Sequence, residues 1–108
     1  MRVSTVFTFV ALAATTVSGY AQKSGRDGSV IFQEMCVGCH GPDGRGDTDM
    51  GKQLKAADLT SAEVQQQSDS ELSKVIKNGQ KKMPAFADKL GDDEIKAVLA
   101  YVRQFGKK

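Results

Sequence analysis

Apolar residues recur at helical spacing in three parts of this chain, and no part alternates apolar and polar residues as a strand does. The clearest pattern runs from Asp92 to Phe105, and Gly106 follows it as a stop signal. We therefore expect a C-terminal helix in an all-α chain. Its buried face is predicted to consist of Ile95, Val98, Leu99, Val102 and Phe105.

A middle helix is predicted to begin after Ser68. Residues 68–71, Ser-Asp-Ser-Glu, form a capping box, in which the Ser68 hydroxyl and the Glu71 carboxylate accept hydrogen bonds from each other's free backbone amides. Gly79, preceded by asparagine, is expected to end this helix in a left-handed turn. The apolar stripe of the helix consists of Leu72, Val75 and Ile76.

The first of the three helices is predicted over Asp27 to Val37, with Val30, Ile31 and Phe32 as its apolar residues. Residues 41–46, Gly-Pro-Asp-Gly-Arg-Gly, lie beyond this helix and are expected to form a loop.

The segment from Gly51 to Leu59 is ambiguous. We expect one helical turn around residues 53–56, with Leu54 and Leu59 pointing inward.

Residues 1–21 have the composition of an export signal. Arg2 supplies a minimal positive end, Val3 to Val17 is an apolar stretch, and small residues stand at Gly19 and Ala21. Cleavage is expected after Ala21, with Gly19 as the alternative. The apolar stretch is shorter than the roughly 20 residues of a spanning helix and contains serine and threonine, so a permanent membrane anchor is not favoured.

The remaining residues, 22–108, are long enough for one small domain. Chains of this size often need a disulfide, a metal or a cofactor to complete their core. The full chain carries 15 Lys and Arg against 13 Asp and Glu, and removal of Arg2 with the signal leaves a formal charge of +1. This balance does not indicate a nucleic-acid-binding surface.

The chain has two cysteines and one histidine, and all three lie in the run Cys36-x-x-Cys39-His40. This run is typical of covalent haem attachment, in which two thiols add to the haem vinyl groups and the adjacent imidazole becomes an axial iron ligand. The motif thus predicts both a cofactor and half of its coordination.

Three other interpretations of the motif are weaker. A structural zinc site needs four ligands, and only carboxylates could complete one here. A thioredoxin-like motif needs a preceding strand, whereas residues 28–35 are not strand-like. A disulfide between Cys36 and Cys39 would close too small a loop to stabilise the chain much, and it would leave His40 unexplained.

Together these residues resemble the class I cytochromes c. Gly28, Phe32 and the motif from Cys36 to His40 have the spacing of the N-terminal helix of that family, and Tyr101 with its neighbours resembles the aromatic position of its C-terminal helix. The resemblance implies an all-α class I cytochrome c fold, with three main helices around one covalently bound haem c. It also implies that the two terminal helices cross at Gly28 and Tyr101.

Met83 is the candidate for the second axial ligand, because the chain has no second histidine. Pro84 prevents helix at this point and favours an extended backbone at Met83. Residues 83–86, Met-Pro-Ala-Phe, look like the ligand loop of small bacterial cytochromes c. Met50, Met35 and an open sixth position are the alternatives. His40 is expected to donate its other ring proton to a backbone carbonyl, which the sequence does not identify.

The resemblance implies a soluble, monomeric electron-transfer protein of the periplasm, without enzymatic activity, that serves larger redox partners of a respiratory chain. Lys81 and Lys82 on the ligand loop, extended by Lys52, Lys55 and Lys89, would favour partners with an acidic docking surface. One alternative is a haem protein whose sixth site opens to a gas or to peroxide. The other is a dedicated cytochrome subunit of a dehydrogenase or oxidase complex.

Overall fold

A computed structural model describes residues 3, 5, 6, 8–13 and 25–107, and six helices lie in these residues. In the same part of the chain the one β-type feature is an isolated bridge between Gln80 and Met83. The predicted all-α class is confirmed. The helices are α1 (Gly28–Met35), α2 (Val37–His40), α3 (Asp49–Leu54), α4 (Ala62–Gln65), α5 (Asp69–Asn78) and α6 (Asp92–Phe105).

Helix α6 has the predicted bounds, and all five residues of its predicted face are buried. Its start is supported by the Glu94 carboxylate, which accepts a hydrogen bond from the Gly91 N–H at 3.2 Å. Gly106 follows the helix with φ −73°, so it ends α6 without a left-handed turn.

Helix α5 begins as predicted, because the Ser68 hydroxyl accepts a hydrogen bond from the Glu71 N–H at 3.1 Å. Its stripe is only partly buried: Leu72 is buried, whereas Val75 and Ile76 are half-buried. Gly79 ends the helix with φ 74° and ψ 169°, a positive φ as expected but a more extended turn.

The predicted first helix is divided in two at Cys36. Helix α1 covers Gly28–Met35, and α2 resumes at Val37. Cys36 has φ −115°, well outside the range near −63° that an α-helix maintains. Cys36 therefore lies at the junction of two helices, and Cys39 and His40 lie on a separate short helix rather than at the end of a continuous one.

The middle of the chain departs most from expectation. Helix α3 begins four residues before the predicted turn, and α4 was not predicted at all, since Val64 is its one buried side chain. Leu59 is buried as predicted, but the prediction for Leu54 is wrong, because its side chain is 36% exposed. Its position at the last residue of α3 turns it away from the core.

Helices α1 and α6 meet at Gly28. A Cβ built there would collide with the Ala97 carbonyl oxygen and lie 2.6 Å from its carbon, so the two backbones are in direct contact. Asp27 is the N-cap of α1, accepting from the Ser29 N–H, so Gly28 is the first residue of the helix and not its cap. The predicted helix crossing is confirmed.

Three aromatic rings fill this crossing. Phe32 lies 5.2 Å from both Tyr101 and Phe105, and Tyr101 meets Phe105 edge-on at 5.5 Å between ring centres. These separations are favourable for aromatic pairs. The rings therefore lock α1 to the last two turns of α6.

The chain around α4 is fastened to α6 by polar contacts. Arg103 donates to the Asp69 carboxylate at 2.7 Å and to the carbonyls of Gln65 and Gln67 at 2.9 and 2.7 Å. Gln65 in turn donates to the carbonyls of Leu59 and Val102. Side chains thus hold this segment where the apolar pattern is too sparse to do so.

The beginning of the domain is anchored by Arg26, which donates to Glu94 at 3.0 Å and to Glu34 at 2.7 Å. Hydrogen bonds from the Gly91 amide and from Arg26 lower the pKa of Glu94.

The predicted signal-cleavage positions, Gly19 and Ala21, lie outside the described residues. In the part of the chain that is described, no helix has the length and apolar character needed to cross a membrane.

Candidate functional site

The haem-motif residues are gathered on one helical turn. The backbone N–H groups of Cys39 and His40 donate to the Cys36 carbonyl at 3.3 and 2.9 Å. Both cysteines are free thiols, so the motif is not closed by a disulfide. Two thiols and an imidazole therefore emerge from a run of five consecutive residues.

The Cys36 thiol packs against the apolar core and is half-buried. Burial, with a smaller contribution from Cys39, raises the pKa of Cys36 to about 11. The group is consequently a neutral thiol at physiological pH in this structure. An apolar setting of this kind suits a sulfur that becomes part of a thioether.

The His40 ring is oriented by a hydrogen bond between its Nδ1 and the Ala57 carbonyl oxygen, 3.0 Å apart. A carbonyl can only accept, so Nδ1 carries a proton, and in the neutral ring Nε2 then has a free lone pair. The carbonyl partner expected from the sequence is therefore Ala57, which lies after α3 and is not marked by a proline. The remaining nitrogen is in the form that binds a metal.

Met83 is held in a tight turn. Its N–H donates to the Gln80 carbonyl at 2.9 Å, and the Gln80 N–H donates back to the Met83 carbonyl at 3.2 Å. Gly79 makes this possible, because a Cβ there would lie 2.6 Å from the Met83 carbonyl oxygen and its φ is positive. Lys81 also has a left-handed φ, 55°.

The Met83 loop is fastened to the end of α5. The N–H groups of Phe86 and Ala87 donate to the carbonyls of Ile76 and Lys77 at 3.0 and 3.1 Å. Phe86 is buried in the core, and the half-buried Met83 packs against that same core. The loop has therefore little freedom to carry Met83 elsewhere.

The other candidate methionines are placed differently. Met50 on α3 is 55% exposed, whereas Met35 at the end of α1 packs against the core beside Cys36. Cys36 and Met83 thus contact one apolar core from two separate segments of the chain.

These donors fit a haem of the c type. Thiols for two thioethers, an imidazole with a free Nε2 and a soft thioether are the groups that such a cofactor requires. Within the described residues, no three His, Cys, Asp or Glu side chains are grouped so that they could hold a metal ion.

Comparison with known proteins agrees with this chemistry. A family model described as "Cytochrome C oxidase, cbb3-type, subunit III" matches residues 23–102. Cytochrome c6 of Bryopsis maxima is 33% identical over 75 residues, which cover 69% of this chain and 84% of that protein. The chain belongs to the cytochrome c family.

Further relatives include a second small cytochrome and an oxidase subunit. A cytochrome c6-like protein of Nostoc is 30% identical over 94% of this chain and 88% of its own length. The cbb3-type oxidase subunit FixP of Bradyrhizobium diazoefficiens is 36% identical over 90% of this chain, but over only 34% of FixP. The cytochrome thus spans about a third of the oxidase subunits it matches.

Solved structures show the same fold. The c-type cytochrome KustC0563 is 36% identical with a TM-score of 0.68, covering 74% of this chain and 98% of its own. Cytochrome c6C from Synechococcus is 31% identical with a TM-score of 0.56, covering 71% and 90%. The class I resemblance is confirmed, and with it the covalently bound haem c of this family.

Proposed function

We propose that this cytochrome is a monomeric, non-enzymatic electron carrier of the periplasm, produced with a signal peptide at residues 1–21. Its haem is attached through Cys36 and Cys39, and its iron is ligated by His40 and Met83. When bound, the haem supplies one-electron chemistry at its iron. The observation that carries the assignment is the Nδ1 hydrogen bond to Ala57, which leaves Nε2 of His40 available as a ligand.

The chain's own residues prepare the two axial positions in different ways. The Ala57 carbonyl fixes the His40 ring and makes it a stronger donor. In the Met83 segment, the turn at residues 80–83 and the two hydrogen bonds to α5 fix the Met83 backbone. A thioether held in this way favours ferrous iron and raises the reduction potential.

This arrangement supports electron transfer over gas binding or peroxide chemistry. Peroxide cleavage needs an open face with an acid or base beside it, and the chain's single histidine is already committed to the motif. A fixed Met83 would occupy the position that an external ligand needs.

Covalent attachment is tested by mass spectrometry of the protein from a host that matures cytochromes c. We expect a chain beginning at Gln22 with the mass of one haem added, still present after acid-acetone extraction. Replacing Cys36 and Cys39 together by alanine should abolish the added mass, whereas Met35→Ala should retain it. An unmodified wild-type chain would contradict the assignment.

The ligand loop also presents positive charge. Lys81 and Lys82 are exposed in the turn, and Lys89 lies 5.7 Å from the Phe86 ring at the base of the same loop. Lys77 on α5, by contrast, is paired with Asp92 at 3.1 Å. We propose that the lysines of the ligand loop form the docking surface for an acidic redox partner.

Replacing Lys81 and Lys82 by glutamate should slow electron transfer with an acidic partner at least about tenfold at low salt, because steering depends on local charge. The effect should fade as salt shortens the Debye length to about 10 Å at 0.1 M. Stopped-flow kinetics over a salt series measures this. The same charge change at Lys74 and Lys96, outside the loop, is the control. A Lys81 and Lys82 double variant as fast as the wild type would mean that docking is apolar, and equal slowing of both double variants would mean that net charge rather than the loop steers the partner.

The matched oxidase family favours a second candidate, a cytochrome module that works within an oxidase complex. Gel filtration of a native extract separates the two proposals. A haem-bearing chain that elutes at the size of a monomer supports the free carrier, whereas co-elution with a large complex supports the module.

A further inference from the structure

The hydroxyl of Thr48 joins α2 to α3. It donates to the carbonyl oxygens of Gly38 at 2.7 Å and Cys39 at 3.1 Å, and it accepts from the Gly51 N–H at 2.9 Å. The last carbonyls of a helix have no partner inside that helix. A side chain from outside α2 therefore satisfies the end of the segment that bears Cys39 and His40.

Helix α3 leads directly to the carbonyl that orients His40. Lys55 caps the end of the helix with φ 56° and ψ 46°, and the Ala56 N–H donates back to the Gly51 carbonyl at 2.8 Å. Ala57 is the next residue. The position of its carbonyl relative to His40 is consequently set by how α3 is held against α2.

The two helices are in close backbone contact at this junction. A Cβ at Gly51 would collide with the Cys39 carbonyl oxygen and lie 2.9 Å from the Thr48 hydroxyl. The Gly46 N–H donates to the His40 carbonyl at 2.7 Å, which draws the intervening loop against the motif. Thr48 thus acts at a contact with little tolerance for displacement.

We propose that Thr48 is a positioning residue for the axial histidine. Its hydroxyl holds α3 against α2 and thereby keeps the Ala57 carbonyl within hydrogen-bond distance of His40 Nδ1. The proposal rests on His40 being the iron ligand. Loss of the hydroxyl should weaken the Nδ1 hydrogen bond, make the imidazole a poorer donor and shift the reduction potential upward.

The test uses the haem-loaded protein and two readouts, the exchange rate of the His40 Nδ1 proton by NMR and the reduction potential. Thr48→Val should accelerate proton exchange about tenfold, the loss expected for one hydrogen bond, and raise the potential. Thr48→Ser should behave like the wild type. Thr60→Val is the matched control, because the Thr60 hydroxyl donates to Asp58 at 2.6 Å within the loop that carries Ala57.

A second variant separates positioning from helix capping. Thr48→Asp still accepts from the Gly51 N–H but has no proton to donate at neutral pH, so it should keep the start of α3 and still accelerate exchange. Unchanged exchange in both Thr48→Val and Thr48→Asp would overturn the proposal, as would equal acceleration in Thr60→Val. Absence of haem-shifted His40 ring protons in the wild type would instead refute the ligand assignment itself.

Discussion

Gly28→Val should lower the free energy of unfolding of the haem-loaded protein by about 3 kcal/mol, the upper end of the usual cost of overpacking. The reason is that even the first added carbon would collide with the Ala97 carbonyl, which belongs to the backbone of α6 and cannot rotate away. A domain of this size has on the order of 5–15 kcal/mol of stability in total. Thermal unfolding followed at the haem band should show a midpoint lower by more than about 10 °C.

Gly38 offers a matched control on the neighbouring helix. It is exposed, and a Cβ there would meet no heavy atom of the described chain within 4 Å. Gly38→Ala should therefore leave stability unchanged or raise it by up to about 1 kcal/mol, since alanine is the better helix former. Gly28→Ala should be clearly destabilising. Equal midpoints for the two alanine variants would mean that α1 and α6 can separate at little cost.

The sequence alone predicted the C-terminal helix and the site where the terminal helices cross. The five apolar residues of α6 recur with a helical period, so the bounds of that helix could be predicted without its partners. Gly28 and Tyr101 followed from a resemblance whose physical basis, close backbone approach and aromatic filling, is visible in the structure.

The prediction failed where structure depends on contacts distant in the chain. Helix α4 has four residues and one buried side chain, and the segment is held by Arg103 from 36 and 38 residues away. The division between α1 and α2 comes from the backbone angle at Cys36, which no pattern of side chains encodes. Leu54 was expected inside because apolar residues usually are, yet α3 ends there and leaves it 36% exposed.

The partner of His40 shows the same limit for the candidate site. The motif identifies the histidine, but the carbonyl that orients it lies 17 residues later and belongs to an alanine. Its placement depends on the Thr48 cap, on the left-handed end of α3 and on the loop drawn to His40 by Gly46. Every residue has a backbone carbonyl, so residue identity does not show which one accepts this hydrogen bond. Only the fold identifies it.

Met83→Ala should leave the haem attached through its two thioethers while opening the sixth coordination position. The turn at residues 80–83 is made by backbone hydrogen bonds and does not need the side chain, so no other donor is brought to the iron. We expect ferrous protein to bind carbon monoxide stoichiometrically, whereas the wild type should not bind it. The reduction potential should fall, because axial ligands set haem potentials over a range of about 0.8 V.

Met83→Leu separates ligation from packing, since leucine conserves the volume that Met83 contributes against the core. It should bind carbon monoxide as Met83→Ala does, with a smaller loss of stability. Met50→Ala and Met35→Ala are the controls, and their spectra should match the wild type. If Met50→Ala opened the site instead, Met50 would have to move to the iron on haem binding. The Met83 loop would then have a structural role and would not supply the ligand.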